Sequence, residues 1–297
     1  MPRLKAGMLL FFLFPLSSMA ATRTFVASSG SDLNPCSRSA PCRSFAAAIA
    51  VTDVDGEVIV LDSAGYGPVT ITQSVSLTTP AGLYAGVTAT AGDAVTVTIA
   101  STDRVILTGL TISGLGGNNG IHFTSAGKLR VESVLVTNFL NTGILGDGGG
   151  NLSIDHSTVR AHRQFYSFGI WAYAPSPTAL LNIANTLVQD AFECIYVSAN
   201  VVATVVDSQA DQCVSRAFRV YGTGDLTIER SIASNSSEGL LTGCTGGTAR
   251  ISNSTFTGNI TDGVRICSGI VYTRGNNTFG ANGTDVSTGT LTPLAAQ

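Results

Sequence analysis

The sequence predicts an all-β chain wound as a right-handed parallel β-helix, a solenoid with a short N-terminal capping helix. Three observations predict it. The composition suits strands and tight turns and is poor in charge, with 33 Gly and only 12% Asp, Glu, Lys and Arg in 297 residues. An aliphatic unit of 22 to 29 residues recurs from about Val105 onward. Within each unit, short segments alternate apolar and polar side chains at a period too short for strand–helix units, so their apolar faces are buried only if successive turns of chain stack.

Residues 1–20 read as a signal peptide, with a basic start at Arg3 and Lys5, an apolar run from Gly7 to Leu16, and Ser18-Met19-Ala20 as a small-x-small cleavage site. The run is too short to cross a bilayer and no second one follows, so the mature chain is expected to have no membrane span. Residues 21–56 form an N-terminal segment carrying the helix. Ser44 is its N-cap, and Phe45, Ala48 and Ile49 share one face. Residues 57–289 form the parallel β-helix, with Glu57 to Leu61 and Val69 to Leu77 as first-rung strands. The pattern decays after Phe279, where Arg274 replaces an expected aliphatic, and residues 290–297 are a C-terminal tail.

Two interior files define the repeat. Leu107, Val131, Ile154, Ile183, Val205, Ile228 and Ile251 occupy one strand position, and Ile121, Ile144, Ile170, Ile195, Phe218, Leu240 and Val264 occupy another. Gly120, Gly143, Gly169, Gly239 and Gly263 precede the second file, which suggests a turn needing an unusual backbone angle. Parallel connections favour a right-handed course.

With Arg3 and Lys5 removed, 14 basic residues face 19 acidic ones, and no Lys/Arg cluster remains. Nucleic acid is therefore not an expected partner. Six cysteines in an exported chain imply disulfides and a secreted or periplasmic location. Cys244 and Cys267 fall about one position apart on neighbouring rungs. Cys36 and Cys42 would staple the segment before the helix, whereas Cys194 and Cys213 sit about four positions out of register.

The segment Thr24-Phe25-Val26-Ala27-Ser28-Ser29-Gly30 through Asn34-Pro35-Cys36, followed by Pro41-Cys42-Arg43-Ser44-Phe45, resembles the opening of secreted right-handed parallel β-helix proteins of the pectate-lyase-like superfamily. Gly56-Glu57-Val58-Ile59-Val60-Leu61 and Gly65-Tyr66-Gly67-Pro68-Val69-Thr70-Ile71 are similar to that family's first rung. The resemblance implies the fold, export and polysaccharide substrates, without a reaction. Were the chain an enzyme, it would be a polysaccharide lyase ahead of a glycoside hydrolase. Calcium would enter only for a lyase, and no other cofactor or metal is called for.

Outward positions locate the candidate substrate-binding site. The residue after each member of the second file gives His122, Leu145, Trp171, Tyr196, Arg219, Leu241 and Arg265, and two residues on come Asp147, Tyr173, Ser198 and Tyr221. Trp171, Tyr173, Tyr196, Arg219, Tyr221 and Arg265 thus share one face, suited to stacking on sugars and pairing with their carboxylates. Longer turns flank Trp171. Fifteen residues separate Ile154 from Gly169, against 11 to 13 in other repeats, and the added segment carries Arg160, His162, Arg163, Phe165 and Tyr166. The bland alternative is a sheet surface stabilised by cross-strand stacking.

Catalytic residues are not identified by the same reading. Ile154-Asp155-His156-Ser157 looks like a pectate-lyase segment and makes Asp155 and His156 candidates. His156, however, shares a polar turn row with Gly109, Ser133, Asn185, Asp207, Arg230 and Asn253. Glu132 and Asp155 form one carboxylate pair, a thin calcium cage. Val264-Arg265-Ile266-Cys267 lacks the lysine of polygalacturonases, and no Asp-Asp pair occurs, which disfavours inverting hydrolysis. The expectation is a monomer binding, and in the fuller case cleaving, polysaccharide. A non-enzymatic surface or envelope protein is the alternative.

Overall fold

A computed structural model describes residues 21–176 and 178–294. The expected signal peptide and the last three residues of the expected tail lie outside that range. The chain forms three parallel sheets of twelve, ten and ten strands, and neighbouring strands in each sheet come from successive turns of chain. Sheet A runs from Ala21–Val26 to Thr292–Pro293, sheet B from Ala64–Gly65 to Thr278–Gly280, and sheet C from Val69–Ile71 to Thr284–Ser287. The fold is the expected right-handed parallel β-helix.

Both predicted files are buried and in register. Val131 pairs with Leu107 and Ile154, and Ile183 pairs with Ile154 and Val205, inside sheet A. Ile144 pairs with Ile121 and Ile170, and Ile195 pairs with Ile170 and Phe218, inside sheet C. The lone third apolar position of each repeat becomes the inward residue of sheet B: Ile112, Val136, Val159, Val188, Ala210, Ala233 and Phe256 stack there and are buried. Alternation along each short strand sends one residue into this common core and the next to solvent.

Three expectations change in detail. The stretch Val69 to Leu77 is two strands, Val69–Ile71 on sheet C and Val75–Thr78 on sheet A, because the corner at Gln73 and Ser74 intervenes. The glycines before the sheet C file have ordinary backbone angles. Their requirement is steric: a Cβ at Gly143 would lie 2.7 Å from the Gly169 carbonyl oxygen and 2.4 Å from Val159 Cγ1, and one at Gly239 would lie 2.4 Å from the Gly263 oxygen. The rungs simply pass too close there for a side chain. The decay after Phe279 also does not end the coil, since Thr284–Ser287 and Thr292–Pro293 add strands to sheets C and A.

The helix Phe45–Ala50 has Ser44 as its N-cap, with Oγ accepting from Ala47 N at 3.2 Å, and it buries Phe45, Ala48 and Ile49 against the first strands. Disulfides join Cys36 to Cys42, Cys194 to Cys213 and Cys244 to Cys267. Cys194 and Cys213 meet although they are out of register. Cys213 stands at the corner leading into sheet C, and the bend brings it to a Cα separation of 5.8 Å from Cys194.

The corner between sheets A and B is a ladder. Ser133, His156, Asn185, Asp207, Arg230 and Asn253 all adopt left-handed φ values of 45° to 54°. Just after them, Ser157, Thr186, Ser208, Ser231 and Ser254 form a buried chain in which each hydroxyl accepts the backbone N–H of the rung before. Thr186 N to Ser208 Oγ is 3.1 Å, and Ser208 N to Ser231 Oγ is 3.2 Å. Each hydroxyl also donates to the carbonyl two residues back, so the polar groups of this tight corner are satisfied without water.

Candidate functional site: a cleft on the outer face of sheet C

The pairing of sheet C sets three rows along this face, the first of them mostly buried. One contains Asn119, Thr142, Phe168, Glu193, Arg216, Glu238 and Asp262. The next contains His122, Leu145, Trp171, Tyr196, Arg219, Leu241 and Arg265. Asp147, Tyr173, Ser198 and Tyr221 continue the third just past the strand ends. The six predicted substrate-binding residues are therefore on one face, and Trp171, Tyr196 and Arg219 are direct neighbours.

They do not form a bare platform. All six are only partly exposed. Trp171 and Tyr196 stack with centroids 5.7 Å apart at 7°, and the Arg219 guanidinium lies 4.6 Å from the Tyr196 centroid and 5.3 Å from that of Tyr221. Both faces of Tyr196 are thus covered. Trp171 differs, because on its other side the row continues with Leu145, a shorter side chain. Phe168 and Tyr173 flank the indole at 4.9 and 5.4 Å.

Beneath this ladder runs an ion-pair network that reading single strands does not show. Glu193, only 2% exposed, accepts from Arg216 and from Arg219 Nη1 at 3.0 and 3.2 Å. Glu238 accepts from Arg216 Nε at 2.9 Å and from Arg265 Nη1 at 2.8 Å. Acid and base thus alternate up the sheet, and the buried carboxylates are compensated. The indole Nε1 of Trp171 and Nε of Arg219 are buried and without a hydrogen-bond partner among the described residues.

Toward the N-terminal end, His122 is held between carboxylates of the rungs on either side. Nδ1 is 2.7 Å from Asp93 and Nε2 is 3.0 Å from Asp147, while Asp93 also accepts from Asn119. Burial works to lower the imidazole pKa, but the hydrogen bonds and charges of Asp147 and Asp93 outweigh it and raise the value overall. With both nitrogens engaged by carboxylates, which favour the protonated imidazole, His122 stitches three rungs together. Burial, then the Asp147 charge, raises the Tyr173 pKa, so its phenol stays protonated at neutral pH.

A cleft of about 510 Å³ opens between these groups, lined by Asn119, Asn141, Thr142, Leu145, Tyr166, Phe168, Trp171, Glu193, Tyr196 and Arg219. Its outer lip is the long turn before Phe168–Ala172. There Phe165 packs on Phe192 at 4.8 Å, and Phe192 N donates to Ser167 Oγ at 3.3 Å, tying the lip to the next rung. Phe165 and Tyr166 are 70% and 68% exposed.

Asp155 and His156 lie at the corner between sheets A and B and take no part in this cluster. The left-handed φ of His156 is the one shared by its whole row, and its ring, 63% exposed, pairs with Asp155. The hydrogen bond from Asn185 is the chief cause holding Asp155 below the usual carboxylate range. Burial opposes it, and His156 and Arg130 assist. Glu132 and Asp155 are adjacent as expected, but Arg130 bridges them at 3.0 and 3.7 Å. Among the described residues, no group of three or more His, Cys, Asp and Glu is arranged to hold a metal ion. Sequence reasoning missed Asp93, Glu193, Arg216 and Glu238. The available signal was the alternating charge of Glu193, Arg216 and Glu238, each two residues before the inward file.

The site and coil define a right-handed β-helix with an aromatic-walled cleft on one outer face. Residues 94–283 match the family described as the right handed beta helix region, and the chain belongs to that family. Its structure is similar to that of pectate lyase Pel9A, with 15% identity, a TM-score of 0.62, and coverage of 95% of this chain and 80% of that one. It is also similar to the A-module of Azotobacter vinelandii mannuronan C-5 epimerase AlgE4, with 10% identity, a TM-score of 0.45, and coverage of 93% and 89%. At these identities the likeness is one of fold alone. No curated protein sequence matches the chain. No helix of the described residues is long and apolar enough to cross a membrane.

Proposed function

We propose that this protein is an exported β-helix that binds a polysaccharide in the sheet C cleft. Trp171 provides the contact surface, and Tyr173, Tyr196, Arg219, Tyr221 and Arg265 hold it in place. The observation that carries the reading is the cleft itself: aromatic walls, an amide and hydroxyl rim, and a lip built by the lengthened turn. Such a concave, mostly apolar site with a few polar groups suits a sugar chain better than a flat sheet does. Polysaccharide is the broad class to which the substrate named for the pectate lyase of the same fold belongs. Export is supported by the leader-like segment and by three disulfides, which suit an oxidising compartment outside the cell or in a periplasm. One chain supplies every residue of the site, so a monomer suffices, and no cofactor enters. Binding is proposed without a reaction, since the carboxylates around the cleft, Glu193, Glu238, Asp93 and Asp147, are each engaged by Arg or His.

A second reading, a rigid surface or adhesion column, is favoured by Tyr196, whose two faces are already covered. A glycan array separates the two. Retention of a glycan by the wild type and its loss in Trp171→Ala, with unchanged circular dichroism, supports binding. A blank array with the folded wild type supports the column.

A further inference from the structure

We infer that the sugar chain held in this cleft is uncharged and built from pyranose rings with equatorial substituents, as in a β-linked glucan or xylan, rather than from uronates. The inference rests on the proposed polysaccharide reading and narrows it.

Charge gives the first argument. Arg219 is the one cation lining the cleft among the described residues, and both its hydrogen bonds go to Glu193. The charge of this guanidinium is thus offset by Glu193, itself 2% exposed, which leaves its Nε and Nη2 donors for a ligand but no net positive charge to attract a carboxylate. Arg216 and Arg265 are likewise committed to Glu193 and Glu238, and Arg163 of the lip to Asp190 at 3.1 Å. At the N-terminal end of the face, two carboxylates, Asp93 and Asp147, surround a single imidazole. A uronate chain would therefore meet compensated arginines at one end and excess negative charge at the other. Asn141, exposed at the rim, is a neutral amide of the kind that reads sugar hydroxyls.

Shape gives the second argument. Two aromatic walls from different elements enter the same cleft: Trp171 from the sheet, with Leu145 rather than an aromatic beside it, and Tyr166 from the lip. A sugar ring seated between these two side chains would have to offer apolar C–H groups to both. A pyranose with only equatorial substituents does so. An axial hydroxyl, as in galacturonate or mannose units, would be pressed against a ring face without a hydrogen-bond partner.

Trp171 is the sole tryptophan in the chain and reports on the cleft directly. The folded protein is titrated with cellohexaose, xylohexaose, mannohexaose and hexagalacturonate while indole fluorescence is followed. Cellohexaose or xylohexaose should bind about tenfold or more tightly than the other two. Tyr166→Ala, at an exposed position, should weaken that binding about tenfold without altering the melting temperature, and Tyr166→Phe should retain it. Hexagalacturonate binding as tightly as the neutral chains would overturn the charge argument, and equal binding of mannohexaose would overturn the equatorial one. Unchanged affinity in Tyr166→Ala would remove the second wall. In each of these cases polysaccharide binding itself survives. No response to any chain, together with a blank array, removes the polysaccharide reading and this inference with it.

Discussion

The corner between sheets A and B and the outer face of sheet C are both stacks of side chains repeated up the coil, yet they differ in kind. At the corner the same chemistry returns on every rung, a left-handed residue followed by a Ser or Thr bonded to the rung before, from Ser157 to Ser254. On sheet C the central row reads His122, Leu145, Trp171, Tyr196, Arg219, Leu241, Arg265, changing at almost every step. Uniform repetition satisfies the backbone and leaves nothing over. Departure from repetition is what opens the cleft, because Leu145 stands next to Trp171 and the turn before Phe168 is longer than its counterparts.

The comparison can be broken at several points. Both regions depend on the common core, so Ile170→Ala should cost about 2–5 kcal/mol, measured by denaturant unfolding, and should weaken both alike. Glu193→Gln should destabilise by about 2–3 kcal/mol, less than for a fully buried pair because Arg216 and Arg219 keep some contact with water. That loss should be accompanied by a changed Trp171 emission, since Arg219 braces the aromatic ladder. At the corner, Ser208→Ala leaves the Thr186 N–H without its acceptor. It should cost about 1–3 kcal/mol and leave Trp171 emission untouched.

The His122 clamp predicts a pH effect of defined sign. The folded pKa is raised, so the stabilisation is fully present below the unfolded value and is lost as pH rises through the folded one. The melting temperature difference between wild type and His122→Gln should therefore shrink from mildly acidic toward alkaline pH. A difference that grows with pH would refute the clamp. The smallest effect is expected for His156→Gly, which relieves a left-handed non-glycine residue. It should stabilise by up to about 1 kcal/mol and leave glycan binding unchanged.

The coil was legible because Leu107 to Ile251 and Ile121 to Val264 are aliphatic or aromatic at nearly constant spacing, and burial imposes that pattern directly. The outward rows were legible as a consequence, since strand alternation places Trp171 beside Tyr196 once Ile170 and Ile195 are inside. What was not legible depends on partners about one turn away in sequence. The capture of Arg219 by Glu193, and of Asp155 by Arg130, joins side chains more than 20 residues apart whose rotamers the sequence leaves open. The glycines before the sheet C file were visible, but their cause was not, because the distance between rungs at Gly143 exists only once the coil has closed. The bridge from Cys194 to Cys213 belongs to the same class, being made by a corner that linear register does not represent.

The most direct measurement is a crystal structure of the protein grown with cellohexaose or xylohexaose. Sugar density beside the indole of Trp171, above Leu145 and under Tyr166, with Arg219 still on Glu193, is the result expected. Density elsewhere on the coil, or a ligand carboxylate drawing Arg219 away from Glu193 when hexagalacturonate is used instead, would contradict it.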